Sequence, residues 1–216
     1  MKKLVFILIV GFALLLVAAP VYSQQASSEK DPRFVIKTNP LAALGGPLFV
    51  LWIVPITSEY KVYFEARTTE KQSIQVGLGY LGSSPIVASI GDLGGDTTVH
   101  SSGFRGQLWY KFFLTQDKAP GGFYLGPHVS YAFAKMKNSV DPDIYFGATK
   151  LNIECVFGYQ VITKGGFALD IFTGLGLKNK TFDTSHMGTN ETFGDWKLNN
   201  KFTVSVPLNF SFGYAF

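Results

Sequence analysis

The chain has 216 residues, of which 47% are hydrophobic, 15% aromatic and only 16% charged. That charge content falls well short of the roughly one quarter usual in soluble domains, and an excess of Phe, Tyr and Gly favours strands and turns over helices. The weak formal charge of +4, with no basic tract carrying interleaved stacking aromatics, excludes the electrostatic footprint of a nucleic-acid-binding protein, and a single cysteine, Cys155, excludes an intramolecular disulfide framework.

The chain opens with the basic "MKK", the apolar "LVFILIVGFALLLVAA" and "VYS" before Gln24, the three-part pattern of a secretory signal peptide over 1–23. Removing Lys2 and Lys3 lowers the charge from +4 to +2. A retained anchor helix is the alternative, but the apolar run is short for a membrane span. Residues 24–32 read as a short periplasmic N-terminal segment, and 33–216 as one barrel domain. No later run reaches the roughly 18 apolar residues of a transmembrane helix; "LFVLWIVPI" (48–56) comes closest.

From about residue 33 the hydrophobic period is two, the signature of strands. The first strands are expected at about 33–43 ("RFVIKTNPLAA") and about 56–67 ("ITSEYKVYFEAR"), with Pro55 marking a bulge or edge between them. In "SIQVGLGYL", Ile74, Val76, Leu78 and Tyr80 oppose Gln75, Gly77 and Gly79. "GFRGQLWYKFF" sets Phe104, Leu108, Tyr110 and Phe112 against Arg105, Gln107, Trp109 and Lys111. "GFYLGPHVSYAF", "KLNIECVFGYQ" and "FALDIFTGLGL" alternate in the same way, as does the final strand, 202–216, for a total of eight strands.

The connections alternate too. Short ones fall near "TTEK" (68–71), "TQDKAPG" (115–121) and "TKG" (163–165), and longer ones at about 83–98, 137–146 and 179–196. Hairpins short at one end and long at the other suit an eight-stranded antiparallel up-and-down transmembrane β-barrel, with periplasmic turns and extracellular loops. A soluble barrel would alternate as well, so the composition of the two faces decides. The small-residue face is rich in Gly, Ser, Ala and Asn, which suits a crowded lumen. The bulky face is nearly free of charge within the strands, as a lipid face requires, because Lys or Arg there costs roughly 2–4 kcal/mol at mid-depth. Phe64, Tyr110, Phe112, Phe123, Tyr159, Phe167, Tyr214 and Phe216 cluster near the short-turn end, where an interfacial aromatic girdle belongs. Trp109 has the inward parity and stands apart from that girdle.

"LNFSFGYAF" places Leu208, Phe210, Phe212, Tyr214 and Phe216 at alternate positions. It resembles the C-terminal targeting signal of bacterial outer-membrane proteins, which implies recognition by the barrel-assembly machinery. "VIKTNPLAAL", "SEYKVYFEA", "IQVGLGYLG" and "GGFYLGPHVSYAF" are likewise similar to the small eight-stranded outer-membrane β-barrel proteins of Bacteroidota-type Gram-negative bacteria, within the outer-membrane-protein-A-like superfamily. The resemblance implies a cell-outer-membrane location, bilayer lipid as partner, and a structural or adhesive envelope role. The expected form is a monomer, with an extracellular ligand to be met through the long loops.

The inward parity also carries Lys61, Glu65, Arg105, Lys111, His128, Lys150, Glu154 and Asp170. Confined charges are costly unless paired, and counting up from the short turns suggests three lumen ion pairs: Arg105 with Glu154, Lys61 with Asp170, and Glu65 with Lys111. These pairs are expected to plug the lumen, with a narrow porin-like channel as the alternative. His128 and Ser130, with Glu154 on the next strand, resemble the His–Ser pair of outer-membrane lipid A deacylases. The match is two residues whose parity points into the lumen, away from an acyl chain, so an acyl hydrolase ranks last and no catalytic site is assigned. "DPD" (141–143) and "GDLGGD" (91–96) lack EF-hand spacing and read as solvated turns; no metal or cofactor is expected.

Overall fold

The computed structural model describes residues 31–43, 57–83, 99–115, 118–138, 145–184 and 202–216. The expected signal peptide, the segment "LFVLWIVPI" and most of the long loops lie outside these residues. The described elements are β1 (Phe34–Thr38), a helical turn α1 (Pro40–Ala43), β2 (Thr57–Thr69), β3 (Gln72–Ser83), β4 (Val99–Phe113), β5 (Gly122–Asn138), β6 (Tyr145–Ile162), β7 (Phe167–Thr184), β8 (Thr203–Ser205) and β9 (Leu208–Ala215).

From β1 to β7 each strand pairs antiparallel with the next, β7 pairs with both β8 and β9, and β9 returns to β1. Ser205 faces Gly176 and Leu208 faces Thr173, so β8 and β9 hold one register on β7 and form a single eighth strand. Its interruption falls at Val206 and Pro207, because proline has no N–H for the ladder. The Pro207 carbonyl instead accepts a hydrogen bond from Thr173 Oγ1 at 2.7 Å. The fold is a closed antiparallel barrel of eight strands.

The register also gives the stagger. Ile36 faces Tyr214 across the closing seam. Followed the other way round, through Phe64, Val76, Leu108, Val129, Ile153 and Leu177, the same row arrives at Val204, ten residues away on the eighth strand (214 minus 204). Eight strands with such a stagger tilt by roughly 35–45° and leave an interior that side chains fill.

Four features differ from the sequence expectation. The first strand ends at Thr38 rather than running to 43, since "NPLAA" is a helix start: Asn39 Oδ1 accepts from the Ala42 N–H at 3.0 Å and Pro40 takes the first helical position. β7 continues to Thr184, well into the loop expected at 179–196, and β6 starts at Tyr145 inside the one expected at 137–146. The last strand, read as unbroken, is divided at Pro207.

The alternation places bulk outside. In β3, Ser73, Gln75, Gly77 and Gly79 are buried while Ile74, Val76, Leu78 and Tyr80 are exposed. Leu78 is 69% exposed, Leu208 64% and Phe157 61%, and such side chains continue around the wall. Among the described side chains, this outer face carries charge only at Lys135 and Lys137, near the long-loop end of β5. Monomeric soluble proteins rarely expose so continuous an apolar surface.

Candidate functional site

The chemistry of the barrel lies inside it, in two tiers. The lower tier, near the short turns, is built on Lys37 of β1 and Lys111 of β4. Lys37 Nζ donates to Glu65 Oε2 at 2.6 Å, Asp170 Oδ2 at 2.7 Å and Gln160 Oε1 at 2.8 Å. Lys111 Nζ donates to the same three oxygens, at 3.2, 2.8 and 3.0 Å respectively, and stands 4.3 Å from the centre of the Tyr124 ring. An ammonium has three N–H donors, so both lysines are saturated by one shared set of acceptors. The remaining carboxylate oxygens are also engaged: Ser73 Oγ donates to Glu65 Oε1 at 2.5 Å and Tyr124 OH to Asp170 Oδ1 at 2.7 Å. Two cations face two carboxylates, and all four side chains are no more than 1% exposed.

Desolvating each of these ions costs several kcal/mol, which only such complete pairing offsets. Glycine makes the geometry possible. A Cβ on Gly158 would lie 2.6 Å from the Tyr124 phenol, so the bare backbone there admits the ring that reaches Asp170. Beneath the cage, Phe113 packs on Tyr124, and buried Ala119 and Pro120 of the β4–β5 connection close the end.

One inward step up the strands lies an aromatic layer of Tyr63, Trp109, Phe172 and His128. Trp109 stacks on His128 with ring centroids 4.1 Å apart and meets Tyr63 and Phe172 edge-on at 5.4 and 6.1 Å. Trp109 is therefore a lumen plug and not a misplaced girdle residue. His128, Glu154, Gly176 and Ser205 follow Trp109 along the same register row. The Glu154 carboxylate lies 2.7 Å from His128 Nδ1 and accepts from Ser205 Oγ at 2.5 Å. It spans Gly176 to do so, where an added Cβ would come within 2.7 Å of Glu154 Cγ.

The expected ion pairs are partly rearranged. Lys111 and Glu65 are partners. Arg105 does not meet Glu154; it donates to Glu59 at 2.6 Å, while Glu154 turns along its own row to His128 and Ser205. Lys61 does not meet Asp170; it lies 3.1 Å from Glu59, and Asp170 is held by Lys37 and Lys111. Lys37, Glu59, Gln160 and Tyr124 complete the network although sequence reasoning did not single them out. The inward parity of Lys37 and Glu59 was the signal that marked them.

His128 Nε2 has no hydrogen-bond partner, so Ser130 is not joined to the imidazole as a nucleophile would be to its base. The terminal apolar residues Leu208, Phe210, Phe212, Tyr214 and Phe216 lie along the outward side of the eighth strand. Phe216 is tied to β1: its carbonyl accepts from the N–H groups of Arg33 and Phe34 at 3.0 Å, and its N–H donates to Phe34 O at 2.9 Å. Its ring packs 5.9 Å from that of Phe34, which stacks on Phe64.

No protein-family model, curated protein or solved structure matches the chain. Among the described residues no cluster of three or more His, Cys, Asp or Glu is placed to hold a metal, and no helix is long and apolar enough to cross a membrane.

Proposed function

We propose that this chain is a transmembrane β-barrel of the outer-membrane type, with a structural or surface-interaction role in the cell envelope. The observation that carries the reading is the inverted polarity of a closed barrel: large apolar side chains cover the outside, and the saturated Lys37–Lys111–Glu65–Asp170 cage is buried inside. Closure removes every strand edge, as a bilayer demands, and the apolar belt supplies the lipid contact. In this reading 1–23 directs export, the assembly machinery recognises the alternate aromatics ending at Phe216, and the monomer meets its surroundings through the long loops. In this reading the cage and the aromatic layer above it close the lumen to a continuous aqueous path.

Two measurements test this. The protein should sediment with envelopes through a high-salt wash and need detergent for extraction; release into aqueous buffer overturns the membrane placement. Refolded into a planar bilayer, it should give no steady single-channel conductance. Stable conductance would replace the sealed barrel with the narrow channel.

A further inference from the structure

The upper tier of the lumen differs from the lower in one respect that its sealing role does not use. One inward register row runs Lys61, Gly79, Arg105, Ala132, Lys150 and Lys180 across β2 to β7. Cations thus follow one another around the wall, separated only by small residues, and Lys150 and Lys180 face each other directly across β6 and β7. The next row down is Gln107, Ser130, Asn152 and Lys178, uncharged donors and acceptors ending in another cation.

Acidic partners are few. Glu59 is shared by Lys61 and Arg105, and Glu154 is occupied by His128 and Ser205. Among the described residues Lys150, Lys178 and Lys180 pair with no carboxylate. Like charges directly opposite on one sheet face are destabilising, so this stripe is a standing electrostatic cost in the unliganded barrel.

The wall is also open to solvent. Gln107, Arg105, Lys150 and Lys178 are only partly buried although they point inward, whereas the inward residues of the lower cage are almost completely so. Polar atoms without hydrogen-bond partners belong to side chains of this row and the rows just below it: Arg105 Nε, Asn152 Oδ1, Trp109 Nε1 and His128 Nε2, with Asn152, Trp109 and His128 each at least nine-tenths buried.

We propose that the upper lumen is a blind binding pocket for a small soluble phosphate ester, entered from the long-loop end. The Arg105 fork and the lysine ammoniums suit a phosphate dianion. The row of Gln107, Ser130 and Asn152 suits the hydroxyl groups of its organic body. The aromatic layer of Trp109 and His128 forms the floor. Because the stripe faces the interior, the ligand is a solute and not the headgroup of a bilayer lipid.

The test uses the full barrel refolded in a non-ionic detergent at low ionic strength, titrated calorimetrically with glucose 6-phosphate. One saturable site is expected. Its affinity should fall at least tenfold in Lys150→Gln/Lys180→Gln and stay unchanged in Lys135→Gln/Lys137→Gln, which removes the same charge from the outer face. Circular dichroism checks that both variants keep the wild-type strand content. Absence of saturable binding, equal loss in both double variants, or no loss in the lumen variant overturns the proposal. Competition by phosphatidic acid in mixed micelles overturns the soluble source and gives the stripe to lipid headgroups. All these outcomes are read without reference to conductance, so a leaking lower tier and an empty upper pocket are separate results.

Discussion

The lower and upper halves of this lumen use the same residue types on the same inward parity, yet their lysines do opposite things. Below, Lys37 and Lys111 share three oxygens within 3.2 Å, and neither is more than 1% exposed. Above, Lys150 is half-buried and Lys180 exposed, and they sit opposite each other with no carboxylate between. The difference is stoichiometric: a buried ammonium holds a barrel together when every N–H has an acceptor, and works against it when a second ammonium stands in the acceptor's place.

The largest expected effect comes from breaking the balanced half. Asp170→Asn leaves Lys37 and Lys111 with one carboxylate, and loss of one partner from a buried pair costs about 3–5 kcal/mol; urea unfolding in detergent reads it directly. Tyr124→Phe keeps the ring under Lys111 but strips Asp170 Oδ1 of its donor, for a loss of about 1.5–3 kcal/mol on the scale of hydrogen bonds to charged groups. The sign should reverse above. Lys150→Gln relieves a like-charge cross-strand pair and is expected to raise stability by about 0.2–1 kcal/mol. If it destabilises as strongly as Asp170→Asn, the two halves are electrostatically alike and the contrast between them fails.

The sequence made the faces legible and the partners much less so. Parity needs only the period of two, and every inward residue from Arg105 to Asp170 follows it. Partner choice depends on stagger. Counting heights from the short turns ignores the ten-residue offset between Val204 and Tyr214 on the eighth strand, and that offset is what brings Lys37 of the first strand across to Lys111 and Asp170. Height alone matches Arg105 to Glu154. The absent side chain at Gly176, visible only in three dimensions, lets Glu154 lean towards Ser205 instead. The helical turn after Thr38 was written in "NP", an N-cap followed by a first-position proline, but the surrounding period of two masked it.

Among the described residues, the seam that closes the cylinder has its shortest ladder. β1 and β9 face each other over four positions, Val35 to Thr38, while β6 and β7 remain zipped from Phe146 to Ile162. Amide exchange should therefore begin at Ile36 and Tyr214 and reach the β6–β7 ladder last. Under mechanical load the wall would part at this join first, with the rings of Phe34, Phe64 and Phe216 as its outer rivets.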